Sequence, residues 1–183
     1  MDALAARAAN CTRCALSTTR QRVVFGSGDP RARLALIGEA PGRVEDDGGE
    51  PFIGRSGQLL FELVSSVLYL VREQCYVTNV VKCRPPNNRT PTRLEIATCR
   101  PWLDEQLAAL EARVVVTLGN TATRALLGVN EPISALRGRS FPLGGATVVP
   151  TFHPAAALRG GPSVVEMMRR DLGVVAELLK GAT

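Results

Sequence analysis

The chain alternates short, wholly apolar runs with longer stretches of helical periodicity. Residues 33–37 (RLALI), 75–81 (CYVTNVV), 113–118 (RVVVTL) and 146–152 (ATVVPTF) read as strands. Between and after them, residues 56–70, 92–111 and 164–179 repeat apolar positions at helical spacing. The first of these helices carries Gly57 at its start. The second opens with Thr92 and Glu95, three residues apart as in a capping box. Gly119-Asn120-Thr121 opens a further helix directly after the third strand. Strands alternating with helices predict an α/β fold around a mostly parallel, four-stranded sheet. With no repeat and no low-complexity linker, 183 residues predict one domain over 1–183.

Each predicted strand runs into a loop that holds an unusual polar residue: Glu39, Asn79, Asn120 and His153. In open parallel sheets, ligands bind in the crevice outside the carboxyl ends of the strands. Parallel strands would therefore set these four side chains facing one another across a single crevice.

Composition adds a direction to this picture. The formal charge is +5 and the pI about 9.3, which favours an anionic partner such as nucleic acid but fits a merely soluble basic surface equally well. Residues 1–10 lack the pattern of a secretory signal, and no stretch approaches the roughly 20 apolar residues of a membrane span. A cytoplasmic protein without a membrane partner is expected, and in a reducing compartment Cys-x-x-Cys spacing points to metal or redox work. Cys11 and Cys14 have that spacing. Cys83 and Cys99 follow far downstream with fifteen residues between them, and Cys75 sits inside an apolar strand as a buried free thiol. Structural zinc usually takes two tight cysteine pairs, whereas four loosely spaced thiolates also suit a cubane with one cysteine per iron. Spacing alone leaves zinc and a cluster open.

Three segments carry a family resemblance. GEAPGRVEDDGGEPFIGRSGQLL (38–60) is similar to the first motif of the family 4 uracil-DNA glycosylases, YVTNVVKCRPP (76–86) to their next block, and FHPAAALR (152–159) to their second active-site loop. Cys11, Cys14, Cys83 and Cys99 fall where that family holds a 4Fe-4S iron–sulfur cluster. The resemblance implies a three-layer α/β/α fold and a monomeric, monofunctional repair hydrolase, associated with the nucleoid. Such an enzyme flips uracil out of single- or double-stranded DNA and hydrolyses its glycosidic bond. Two departures stand out. Ala155-Ala156-Ala157 replaces the bulkier residues that the family carries after His-Pro. The inserted basic loop by which a related branch captures DNA covalently is absent, so crosslinking is not implied.

The chemistry of excision fits residues in these motifs. A flipped uracil offers O4 as acceptor and N3–H as donor, and a side-chain amide complements both; Asn79 is assigned to that edge. Phe52 is assigned as the stacking platform and His153 as the donor to the charge developing on O2. The resemblance implies that Glu39 and the backbone of Ala40 hold uracil or water, with Glu39 orienting the attacking water. It places Glu45 beside them, against the methyl group of thymine. Arg55 and Ser56, at a helix start, are assigned to DNA phosphates, and Leu158 and Arg159 to the wedge that enters the duplex. Outside the motifs, Asn79 reads as a turn or cap residue, Phe52 as core and His153 as structural. Two other function classes fit the bulk features: a catalytically silent nucleic-acid-binding module built on a four-cysteine metal site, and a thiol- or cluster-based redox sensor.

Overall fold

The computed structural model describes residues 1–181, so the last two positions of the expected domain lie outside the described residues. The four anticipated strands form as β2 (Leu34–Gly38), β3 (Tyr76–Asn79), β4 (Val114–Leu118) and β6 (Ala146–Thr151). They lie in the order β3-β2-β4-β6, and every neighbouring pair among them is parallel. β2, β3 and β4 are buried at every position, as strands covered on both faces must be.

The sheet has six strands among the described residues, not the four expected. Two short antiparallel edges extend it: β1 (Ser27–Gly28) beside β3, and β5 (Phe141–Leu143) beside β6. Both are too short to carry a periodic signal. β5 holds Pro142, which an edge strand tolerates because it lacks one ladder partner. β1 depends on Gly28 at φ +105, where a Cβ would run into the Cys75 carbonyl.

Alternation along the central strands divides the core into two layers. Leu34, Leu36, Val114 and Val116 face α3 (Arg55–Leu68), α7 (Pro154–Gly160) and α8 (Pro162–Lys180), packing on Leu60, Leu63, Met168 and Leu172. Ala35, Ile37 and Val115 face the other way, onto Trp102 and Leu103 of α4 (Arg93–Ala109) and Ala122 and Leu126 of α5 (Asn120–Leu127). Helices therefore cover both faces, giving the three-layer α/β/α arrangement. Two short helices, α2 (Arg43–Gly48) and α6 (Ile133–Leu136), lie within the connections, and α1 (Asp2–Ala9) contacts α4. Among the described residues no helix is long and apolar enough to cross a membrane.

The start of α4 is fixed as its sequence predicts. Thr92 Oγ1 accepts from the Glu95 amide at 3.2 Å, and Glu95 Oε2 accepts from the Thr92 amide at 2.8 Å. Arg89 grips both Glu95 oxygens at 2.8 and 2.7 Å, and this fork, together with the Thr92 amide, holds the Glu95 carboxyl down to about 2. The loop leading from Cys83 to α4 is thus tied down just before the helix begins.

Candidate active site and four-cysteine site

The carboxyl ends of β2, β3, β4 and β6 open into one crevice of about 1580 Å³, counting the solvent at its mouth. Glu39 follows β2, Asn79 ends β3, Asn120 begins α5 just after β4, and His153 follows β6; all four line the crevice. Ala40, Glu45, Phe52, Ser56 and Arg159 join them. Arg55 and Leu158 are exposed and are not among the lining residues.

Asn79 is 1% exposed, and its Oδ1 is fully buried without a hydrogen-bond partner, alone in this among the described side-chain atoms. A buried acceptor left unpaired costs roughly 1–3 kcal/mol, so folded proteins keep few of them. The ring of Phe52 lies close by, since a Cβ on Gly38 would collide with both Asn79 Oδ1 and the edge of that ring. Gly38 thus leaves the gap in which amide and ring sit side by side.

Phe52 itself adopts φ +55, a costly left-handed conformation for a bulky residue. Arg72 holds it there by donating to the carbonyl oxygens of Phe52, at 3.1 Å, and Pro51. Gly57, in the first turn of α3, lets the Phe52 carbonyl pack against the helix; a Cβ there would overlap that oxygen. Glycine to alanine in a helix normally stabilises by about 0.5–1 kcal/mol. At Gly57 the backbone clash outweighs this, and Gly57→Ala is expected to destabilise by about 1–3 kcal/mol, as overpacking does. Urea denaturation checks the sign, and a more stable variant would show that Phe52 does not depend on this close approach.

His153 caps α7, its Nδ1 accepting from the Ala155 amide at 3.1 Å. Burial, then the nearby Arg159 guanidinium, push the imidazole down to about 4. At neutral pH the ring is therefore uncharged, and with Nδ1 occupied as acceptor its proton sits on Nε2. The ring is tilted 31° to Phe52 with centroids 5.8 Å apart. Glu39 accepts on Oε2 from the Thr121 hydroxyl, which leaves its other oxygen for a ligand. Glu45 is 9% exposed, and its carboxylate accepts from the Gly42 and Gly54 amides at 3.1 and 2.9 Å. It braces the two loops that carry Ala40 and Phe52. Thr121, Gly38 and Arg72 act here on their neighbours through contacts between segments far apart in the chain.

Cys11, Cys14, Cys83 and Cys99 line a second, separate cavity with Trp102, Lys82 and Arg20. They arrive from the chain after α1, the loop after β3, and α4. Three of the sulfurs have an N–H donor: Trp102 Nε1 to Cys11 at 3.4 Å, Arg20 Nη1 to Cys83 at 3.3 Å, and the Lys82 amide to Cys99 at 3.3 Å. Burial raises the Cys83 thiol to about 11, with Arg20 pulling the other way, and also raises Cys99. Cys75 lies elsewhere, fully buried with Sγ 3.6 Å from the Val71 carbonyl, and burial raises its thiol to about 11. The four remaining cysteines form an all-thiol donor set, suited to soft metals and iron–sulfur chemistry. Among the described residues, no three His, Cys, Asp or Glu groups stand close enough to share one metal ion.

Comparison with known proteins gives a consistent result. Residues 25–172 match the model of the Uracil DNA glycosylase superfamily. The chain is 40% identical over 177 residues to a Type-4 uracil-DNA glycosylase of Sulfurisphaera tokodaii, covering 92% of this chain and 80% of that one. It is 38% identical to the Saccharolobus solfataricus protein of the same name (98% and 86% covered), and 44% identical to that of Thermotoga maritima (87% and 83% covered).

Proposed function

The chain belongs to the type-4 uracil-DNA glycosylases of the uracil DNA glycosylase superfamily, and from there we propose that it excises uracil from DNA and leaves an abasic site. The unpaired Oδ1 of Asn79 carries this reading. Uracil N3–H would give that oxygen its missing donor, while the amide nitrogen donates to O4. Cytosine offers an amino group where uracil has O4, and would set donor against donor. A buried pair mismatched in this way discriminates strongly.

The geometry supports the following steps. The crevice gives a water-sized sphere about 720 Å³, within the roughly 300–1,000 Å³ of a small-ligand pocket, and its open mouth leaves a flipped nucleotide joined to its strand. Phe52 stacks on the extruded base and Asn79 reads its edge. His153 Nε2–H donates to O2 as the C1′–N1 bond breaks and its electron pair moves onto the base. Glu39, held by Thr121, orients a water whose oxygen bonds to C1′. The water's protons remain as the sugar hydroxyl and on the departing base. The backbone of Ala40 borders the same site, and Glu45 holds the wall where a thymine methyl group would meet it. Ser56 at the start of α3 and Arg55 take phosphates, and Leu158, 44% exposed beside Arg159, supplies the wedge. No lysine lines the crevice among the described residues. That supports hydrolysis without the strand cleavage that an amine nucleophile brings.

The four-cysteine cavity is proposed to hold a 4Fe-4S cluster. Its candidate ligands are all sulfur and line one cavity, and a cubane takes one cysteine per iron. Its contribution is a clip that joins the amino-terminal segment to β3 and α4, closing a loop of more than eighty residues.

Incubating purified protein with a uracil-containing strand is expected to produce abasic sites. Their absence with both aerobically and anaerobically prepared protein would sink the enzyme reading. Iron analysis with visible absorption tests the cluster, and zinc in place of iron would refute it.

A further inference from the structure

Lysine occurs at only two positions in this arginine-rich chain, Lys82 and Lys180, and Lys82 is 1% exposed. Burying an ammonium is costly unless acceptors surround it. Lys82 Nζ donates to the Asn79 carbonyl at 2.6 Å and to Thr78 Oγ1 at 2.8 Å, and it lies 5.8 Å from the centre of the Phe25 ring. The backbone of the same residue is engaged on both sides. Its amide donates to Cys99 Sγ, its carbonyl accepts from the Val24 amide at 2.8 Å, and Cys83 follows it in the chain. Lys82 lines the four-cysteine cavity while its side chain reaches back to the last residue of β3.

We propose that Lys82 is a positioning residue that holds Asn79 in register for the base and links that register to the four-cysteine site. The proposal rests on Asn79 reading the uracil edge, as argued above. At Asn79 the β3 ladder ends: Gly38 is its register partner, and the next amides, of Val80 and Val81, turn to the carbonyls of Gly38 and Glu39. The Asn79 carbonyl lies where the strand no longer fixes its partner, so the Lys82 ammonium sets its direction, and the backbone direction sets where the side-chain amide points. A compact ammonium with three rotatable donors meets both acceptors, at 2.6 and 2.8 Å, from a single atom. A displacement of about 1 Å at a reading group is enough to cost substantial binding.

Lys82→Met keeps the length and removes the donors. In protein with full iron content, we expect calorimetric affinity for free uracil to fall about tenfold, the order of one lost buried hydrogen bond. KM for uracil excision should rise with it, and the preference for uracil over cytosine should narrow. A purely packing role for Lys82 would lower stability without moving selectivity. Because Lys82 adjoins Cys83, a second pair of variants acts away from the cysteines. Thr78→Val removes one of the two acceptors and should shift uracil affinity in the same direction, while Thr78→Ser should restore it. Wild-type uracil affinity and selectivity in iron-replete Lys82→Met would overturn the proposal. If that variant fails to fold or to hold iron, unchanged affinity in Thr78→Val overturns it instead. Failure of the wild-type protein to bind or excise uracil would refute the reading of Asn79 itself, which is a different outcome.

Discussion

Replacing His153 with alanine is expected to slow uracil excision on the order of 10²–10³-fold, the loss that follows removal of one donor aimed at a developing oxyanion. DNA binding should persist, because phosphate contacts come from other residues. The geometry makes a specific claim about the proton. Nδ1 is occupied by the Ala155 amide, so the catalytic hydrogen sits on Nε2 of a neutral ring. Burial lowers this imidazole from its ordinary 6.5 to about 4. The pH profile of kcat/KM should therefore show no His153 transition near 6.5, and its acid limb should lie near 4. The sign of the stability change follows from the same shift. The unfolded chain takes up the proton first, so this contribution to stability is complete above about 6.5 and is lost as pH falls toward about 4. Alanine also removes the cap of α7, worth about 0.5–2 kcal/mol. His153→Asn separates the two roles, since its amide oxygen can still accept from Ala155. Stability should recover in that variant while the rate stays below wild type. Undiminished turnover in His153→Ala would remove this residue from the chemistry.

The residues at the strand ends were legible because parallel strands force them together. A buried strand announces itself as an apolar run, and an unusual polar residue near the end of each run marks its carboxyl end; Asn79 closes its strand, while Glu39, Asn120 and His153 follow theirs. Cys75 was separable from the other four cysteines because it opens the apolar run 75–81, although the strand itself starts one residue later, at Tyr76. The two edge strands were not legible, because Ser27–Gly28 and Phe141–Leu143 are shorter than any period they would display. Contacts between distant segments were equally out of reach. The hydroxyl of Thr121 on Glu39, the clearance left by Gly38 between Phe52 and Asn79, and the grip of Arg72 on the Phe52 turn are properties of the packed chain. Glu45 shows the limit most clearly. Its position in a motif placed it at the crevice, but both its oxygens are engaged by glycine amides, so its carboxylate braces the loops. One signal was present and needed the fold to give it meaning: a lysine in a chain that otherwise prefers arginine, set between Asn79 and Cys83.

Asn79→Asp is expected to lower kcat/KM for uracil on the order of 10²-fold and to permit measurable excision of cytosine, so that the ratio between the two bases collapses. The substitution keeps the shape of the side chain, so the neighbouring Phe52 ring and the Lys82 contact to the backbone carbonyl should survive. What changes is polarity. An ionised carboxylate can still accept uracil N3–H, but its second oxygen then meets O4, acceptor against acceptor. Against cytosine that second oxygen accepts from the amino group while the first meets N3, again one contact satisfied and one opposed. In so buried a site the carboxyl will be pushed up toward protonation. The protonated group serves either base, since its hydrogen can sit on the oxygen facing O4 or on the one facing N3. Excision of both bases by the variant should therefore rise as pH falls, over a range where the wild-type amide does not titrate. Single-turnover assays on matched uracil- and cytosine-containing strands measure the ratio directly. If the Asn79→Asp variant folds normally and keeps strict uracil preference, this amide does not read the base, and its unpaired oxygen answers to some other donor.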